Sequence, residues 1–264
     1  MAHLFIFGLG YSAKRIGAAA EARGWRVTAT GRGAALAFDD EAGVHAALAS
    51  ASHVLSSVPP GEAGDPVLAR YADALRHGWL GYLSSTGVYG DTGGAWVDES
   101  APIGRGRRSA RSDADAGWLA RGARVFRLPG IYGPGRSALD RVADSRAHRI
   151  DLPGQVFSRI HVDDIASGVI AAFDAPPGAY NLADDLPASQ NAVIEEACRL
   201  LGVPPPPLQS LDEAALPAPA RAFYTENRRV ANGKAKRVLG WQPRYPTYRE
   251  GLRAILRPTS PSAR

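Results

Sequence analysis

Residues 2–17 read AHLFIFGLGYSAKRIG, and the reading of the whole chain turns on them. Residues 4–7 form a short apolar run of strand length. Gly8-Leu9-Gly10 interrupts it, and an alanine-rich pattern with helical spacing follows over residues 12–23. A strand, a glycine turn and a helix in that order suit phosphate capture. Gly8 allows the sharp turn, and Gly10 lets a pyrophosphate come close to the backbone. The helix's unpaired amides and the positive end of its dipole then face the anion. Ala13, in the third small-residue place, permits close packing of helix on strand. Gly8, Gly10, Tyr11 and Ser12 are therefore expected to touch a dinucleotide, although GxGxxA alone also fits an ordinary turn.

A second strand over residues 25–30 (WRVTAT) is rich in β-branched residues and ends at Gly31-Arg32. An NAD-preferring site places a carboxylate here to hold the ribose hydroxyls. Arg32 would instead pair with a 2′-phosphate, so NADP is expected over NAD, the alternative being a plain surface arginine. A short strand over residues 36–38 and a helix through residues 44–48 come next. A buried strand over residues 53–58 is stopped by Pro59-Pro60-Gly61, followed by a helix over 65–77 and a strand over 79–84. Strands alternating with helices predict a doubly wound parallel sheet with its ligand at the carboxyl ends of the strands. Ser57, Pro59 and Ser84 lie at such ends and join the expected cofactor contacts.

The chain has 264 residues, 22% charged and 45% hydrophobic, with a net charge of +5. That is enough for one α/β domain with a smaller lobe, and no disordered body is expected. The positive charge does not point to nucleic acid, because the one arginine cluster (Arg105, Arg107, Arg108, Arg111) has no interleaved aromatic residues. The apolar runs are too short to span a bilayer and no secretory leader is visible, so no membrane partner and a cytoplasmic location are expected. Cys198 is the single cysteine, which excludes an intrachain disulfide. No metal constellation is present in the sequence.

Five later segments carry a resemblance: LSSTGVYGD (83–91), FRLPGIYGPG (126–135), RIHVDDIASGV (159–169), AYNLAD (179–184) and KAKRVLGWQP (234–243). In this order, behind a glycine turn, they resemble the extended short-chain dehydrogenase/reductase family, also called the NAD-dependent epimerase/dehydratase family, over nearly the whole length. The resemblance implies that Ser85 is the catalytic hydroxyl, with Thr86 next to it on the substrate side. It also implies that Leu128, Pro129 and Gly130 run beside the nicotinamide. The 161–164 segment would join the cofactor domain to the substrate lobe, with Asp163 or Asp164 capping the helix that runs through Phe173, or acting as catalytic carboxylates.

The chain departs from that family where the chemistry lies. The family's general acid/base is a tyrosine with a lysine four residues on, and no tyrosine here stands four residues before any lysine. The two places fall on Arg107 and Arg111, and an arginine holds its proton at physiological pH. The chain is thus expected to be an atypical member. Tyr89 could supply the acid/base, with Tyr132 or His161 as alternatives from the opposite wall. The Asp-Glu pair of the dehydratase branch is replaced by Thr86-Gly87, which disfavours a sugar-dehydratase mechanism. Arg107, Arg111 and Arg159 are expected to bind an anionic or sugar-like substrate, with Arg108 or Arg136 assisting.

The remaining pattern predicts a helix over 136–148, a strand or two within 151–160, a helix over 191–201 ended by Gly202, irregular turns over 211–224 and a last helix over 250–256. Residues 204–207 form a proline spacer and 257–264 a frayed tail. The expected architecture is a Rossmann domain over residues 1–135, rejoined by 160–182, with a small α/β lobe made of 136–159 and 183–264. The expected function is an NADP-binding oxidoreductase or epimerase-like enzyme acting on a hydroxyl or carbonyl compound. The alternative is a catalytically silent NADP-binding sensor or scaffold. The expected assembly is a monomer or homodimer.

Overall fold

A computed structural model describes residues 1–104 and 109–256. Its strands are β1 (His3–Phe7), β2 (Arg26–Ala29), β3 (His53–Ser56), β4 (Trp79–Ser85), β5 (Trp96–Val97), β6 (Arg124–Leu128), β7 (Gly130–Tyr132), β8 (Arg149–Ile150), β9 (Arg159–His161), β10 (Gly178–Asn181), β11 (Leu208–Gln209) and β12 (Arg229–Val230). The helices are α1 (Tyr11–Glu21), α2 (Glu41–Ser50), α3 (Pro66–Tyr71), α4 (Ser109–Ala120), α5 (Ala138–Ala143), α6 (Val162–Ala171), α7 (Gln190–Leu201), α8 (Ala218–Arg221), α9 (Gly233–Leu239) and α10 (Tyr248–Leu256).

Six strands form one parallel sheet in the order β10-β6-β4-β3-β1-β2. The order reverses at β1, which lies between β2 and β3, so the crevice outside the carboxyl ends of β1 and β3 is the topological switch point. Strand β1 is buried on both faces, as a central parallel strand must be. Its period of two sends Leu4 and Ile6 into a core with Ile16, Phe126 and Val169, and Phe5 and Phe7 into another with Val44, Tyr82 and Trp118. A third core, built on Leu139, Val193, Ile194, Tyr248 and Leu252, belongs to α5, α7 and α10 and gives the lobe its own interior.

The structure corrects several local expectations. Residues 36–38 form no strand; only Leu36 makes an isolated bridge, to Thr30, and Phe38 packs on Tyr71 and Phe7. The helix expected over 65–77 is α3 followed by a single 3-10 turn over Ala72–Ala74. The helix expected over 136–148 shrinks to six residues. A Ser137/Asp140 capping box starts it, and Ser145 at φ 55° prevents its continuation. The N-cap of α6 is His161, whose Nδ1 accepts the Asp163 N–H; Asp163 and Asp164 stand inside the first turn. The irregular 211–224 stretch contains the short α8 and a 3-10 turn over Ala222–Thr225.

Candidate active site

The glycine turn is pinned from both sides. Gly8 N–H donates to the Thr30 hydroxyl (3.2 Å), Leu9 N–H to the Thr30 carbonyl (2.9 Å), and the Ser57 hydroxyl to the Gly8 carbonyl. Gly8 has φ +83°, and a Cβ there would meet Val58 Cγ2 at 2.9 Å, so only glycine fits. Gly10 differs. Its backbone is extended, and a Cβ on it would have nothing within 4 Å. As the N-cap of α1 it makes no side-chain cap, and no protein group among the described residues accepts from the Tyr11, Ser12 or Ala13 amides. An open space faced by free amides at a helix N-terminus fits a pyrophosphate. The residues present therefore fit a dinucleotide.

Around this turn the expected cofactor residues divide. Ser12 is half-buried beside the free amides, and Arg32 and Pro59 are exposed just beyond the ends of β2 and β3. Tyr11 reaches across to the 133–136 turn, where its hydroxyl donates to the Pro134 carbonyl at 3.0 Å and the Arg136 guanidinium lies 5.8 Å from its ring centre. Ser57, with its hydroxyl given to Gly8, shapes the turn.

Ser85 ends β4, half-buried, and its Oγ accepts the Gly87 N–H at 3.1 Å. Its hydroxyl hydrogen has no acceptor among the described residues and is free for a ligand oxygen. The register pairs Ser85 with Leu128, so the expected catalytic hydroxyl and the expected nicotinamide loop, with half-buried Pro129, are neighbours at the carboxyl edge. Thr86 follows and is buried.

Ser84 turns the other way. Its hydroxyl donates to Asp115 Oδ2 at 2.6 Å, inside a fully buried polar network. Arg127 grips Asp115 twice, Nη2 to Oδ1 at 2.8 Å and Nε to Oδ2 at 3.1 Å, and also donates to the Tyr89 hydroxyl at 3.0 Å. Tyr89 in turn donates to Asn181 Oδ1 at 2.8 Å. The Asn181 N–H donates to Glu99 Oε1 at 2.7 Å. Burial opposes the Arg127 charge, but the Asp115 contacts outweigh it and hold the guanidinium above its usual range. Burial raises the Tyr89 phenol despite the Arg127 and Asn181 bonds. Both faces of the Tyr89 hydroxyl are thus committed.

The wall toward the lobe carries a second buried group. Arg159, 7% exposed, gives its guanidinium to the Phe157 and Ala188 carbonyls (2.8 Å each) and to Gln190 Oε1 at 3.3 Å. Burial pushes it down to about 10, with Asp184 opposing. Asp184 is pushed up to about 8 by burial, against the attraction of Arg159. His161 is pushed down to about 4 by burial, with Asp163 opposing. Tyr132 and His161 are register partners whose rings meet edge to face at 5.2 Å. Asp184 Oδ2, Tyr132 Oη and His161 Nε2 are all buried without a hydrogen-bond partner. Asp164, pushed up to about 6 by burial against the Arg244 and Tyr245 N–H bonds it accepts, ties α6 to the lobe.

Arg111 lies half-buried in the first turn of α4, in the field of the Tyr82 phenol. Arg107, with Arg105 and Arg108, lies outside the described residues. The Asp115–Arg127–Tyr89–Asn181 network was not legible from motifs. One signal for it exists, a lone arginine inside the apolar strand VFRL, since a charge on a buried strand requires a partner.

No family model matches the chain. A curated Streptomyces protein, a 3-diazoavenalumate denitrifying reductase, is 34% identical over 139 residues, which span 48% of this chain and 45% of that protein. The chain thus matches less than half the length of this curated relative. A solved structure of a conserved Silicibacter pomeroyi protein of unknown function is 40% identical, with TM-score 0.86 over 97% of this chain and 98% of that one. A human epimerase family protein solved with NADPH superposes with TM-score 0.74 at 16% identity, covering 96% and 98% of the two chains. Thermus thermophilus UDP-glucose 4-epimerase in complex with NAD gives 0.73 at 18%, covering 95% and 96%. The chain therefore belongs to one family with the Silicibacter pomeroyi protein, and its fold is the Rossmann fold of the NAD-dependent epimerase/dehydratase, or extended short-chain dehydrogenase/reductase, proteins.

Proposed function

We propose that the chain binds NADP in the glycine crevice and acts as an oxidoreductase or epimerase-like enzyme on a hydroxyl or carbonyl compound. One observation carries this reading: Ser85, with a free hydroxyl hydrogen, and its register partner Leu128 stand at the carboxyl edge of the same sheet whose switch point holds the uncapped α1 amides. When bound, the nicotinamide supplies the hydride donor or acceptor. Ser85 orients the substrate oxygen by donating to it. Reduction of a carbonyl would also require one proton at that oxygen. Solvent is the proton source in this reading, because the Tyr89 hydroxyl is committed to Asn181 and Arg127. The exposed Arg32 beyond β2, where an NAD site carries a carboxylate, supports NADP. Support for chemistry on a small molecule also comes from the reductase named in the partial Streptomyces match.

A second reading, a silent NADP-binding protein, is favoured by the arginine that stands where the family's lysine would be. Single-turnover mixing of NADPH-loaded protein with a panel of aldehydes, ketones and diazo compounds separates the two. Oxidation of NADPH that disappears in Ser85→Ala supports the enzyme. Tight NADPH binding with no oxidation across the panel supports the silent protein.

A further inference from the structure

Arg136 carries its charge on a fixed main chain. Its N–H donates to the Gly133 carbonyl at 3.0 Å and its carbonyl accepts the Gly133 N–H at 3.2 Å, which closes the 133–136 turn. Ser137, the next residue, caps α5. The turn is docked on the glycine loop. Tyr11 donates its hydroxyl to the Pro134 carbonyl at 3.0 Å, and a Cβ on Gly133 would meet Tyr11 Oη at 2.5 Å and Val162 Cγ1 at 2.6 Å. Only glycine permits that approach.

The Arg136 side chain, in contrast, is exposed and idle. Its guanidinium lies over the Tyr11 ring, 5.8 Å from the centre, and has no carboxylate or hydrogen-bond acceptor among the described residues. The two acids in the field of Tyr11 are engaged elsewhere. Asp140 accepts from the Ser137 N–H and hydroxyl, and Asp163 lies 3.7 Å from Arg15 and from His161. A stacked guanidinium at an exposed site is held weakly, so it can leave the ring at little cost.

Tyr11, on which Arg136 rests, is the first residue of α1, and its own amide is one of the three left without an acceptor. Each phosphate of a dinucleotide carries a negative charge, whereas a helix N-terminus supplies only about half an elementary charge. The α1 amides therefore leave most of a pyrophosphate's charge unmatched. We infer, on the reading of the glycine crevice as a dinucleotide site, that Arg136 is a second ligand of the cofactor pyrophosphate, with Tyr11 as the platform that keeps it in reach. A guanidinium's paired N–H donors suit two oxygens of one phosphate. Arg136 thus serves the cofactor and not the substrate anion expected from the sequence.

The test is titration of the full chain with NADPH, NADH and ADP-ribose, in the native protein, Arg136→Ala, Arg136→Lys and Arg32→Ala, with the melting temperature of each. All three ligands contain the pyrophosphate, so Arg136→Ala should weaken each by the same factor, at least about fivefold at low salt. That loss should shrink as salt is added, because the side chain is exposed. The melting temperature should stay at the native value, since no hydrogen bond or ion pair is removed. Arg136→Lys, which keeps the charge without the fork, should recover part of the affinity. Arg32→Ala is the contrast and should weaken NADPH alone. Unchanged affinities in Arg136→Ala overturn the inference and leave the cofactor reading standing. A loss confined to NADPH, or one that spares ADP-ribose, also overturns it, by placing Arg136 at the 2′-phosphate or at the nicotinamide end. An equal loss accompanied by a lowered melting temperature marks a structural role and overturns it too. A native protein that binds none of the three ligands brings down the cofactor reading and this one with it.

Discussion

Arg127 on β6 and Asp115 on α4 face each other through two short contacts, 2.8 and 3.1 Å, with side chains only 3% and 0% exposed. The pair ties the helix to the sheet directly behind Ser85, because Asp115 also accepts from Ser84 and Arg127 also donates to Tyr89. Removing one partner leaves the other charge buried alone. Asp115→Ala is expected to cost about 3–5 kcal/mol. Urea denaturation measures it, and a loss below about 1 kcal/mol would contradict the claim that the pair is both buried and needed.

Tyr89→Phe separates structural from chemical use of that network. The substitution removes one hydroxyl that bridges Arg127 and Asn181, so stability should fall by about 1–2 kcal/mol. A general acid or base is worth roughly 10²–10⁴-fold in rate. Once a turned-over substrate is in hand, Tyr89→Phe should therefore keep kcat within a few-fold of native. A hundredfold loss would restore Tyr89 as the proton donor.

The legible parts of this fold are the local ones. The strand, turn and helix around Gly8 are read from consecutive residues, and Ser85 is placed because it ends an apolar strand at the sheet's carboxyl edge. What sequence spacing could not show is where polar side chains find partners. Asp115 and Arg127 are 12 residues apart but on different elements. Ser84 and Ser85 are adjacent, yet the strand's period of two sends one hydroxyl into the interior and the other to the crevice. Arg159, expected to meet a substrate anion, has its donors taken by main-chain carbonyls that only the folded lobe brings near.

The two glycines of the turn should respond oppositely to substitution. Gly10 has an ordinary φ of −82° and open space around its Cβ position, so Gly10→Val should change the melting temperature little. The same side chain would fill the space before the α1 amides and should weaken NADPH binding by more than about tenfold. Gly8→Ala, at φ +83° and against Val58, should destabilise the fold by about 1–3 kcal/mol. Tight NADPH binding by a folded Gly10→Val protein would move the pyrophosphate away from this helix.

The proposed preference for NADP rests on Arg32. If its guanidinium pairs with the 2′-phosphate, Arg32→Ala should weaken NADPH by about tenfold or more, about 1.4 kcal/mol, and leave NADH nearly unchanged. The NADPH effect should also shrink as salt is added, since the side chain is exposed. Fluorescence titration of both nucleotides measures the two losses. Equal losses would mean that Arg32 does not read the 2′-phosphate.

Asp184 and His161 give the stability a direction in pH. Burial raises the Asp184 carboxyl to about 8, so the folded protein holds a proton that the unfolded chain releases near pH 4. Its contribution is complete below pH 4 and drains away as pH rises through 8. Asp164, raised to about 6, runs in the same sense over a lower range. His161, lowered to about 4, runs the other way: its contribution is present above pH 6.5 and is lost as pH falls. Between pH 4 and 6 the two carboxyls outweigh His161, so stability still falls as pH rises, and between 6 and 6.5 Asp184 and His161 offset one another. From 6.5 to 8 the Asp184 slope dominates, and at about 1.4 kcal/mol per pH unit it amounts to roughly 2 kcal/mol. Asp184→Asn keeps an oxygen to accept the Leu186 N–H but has no proton to lose. It should therefore flatten the fall in denaturation midpoint over that interval, and a slope that survives the substitution would assign the proton to another group.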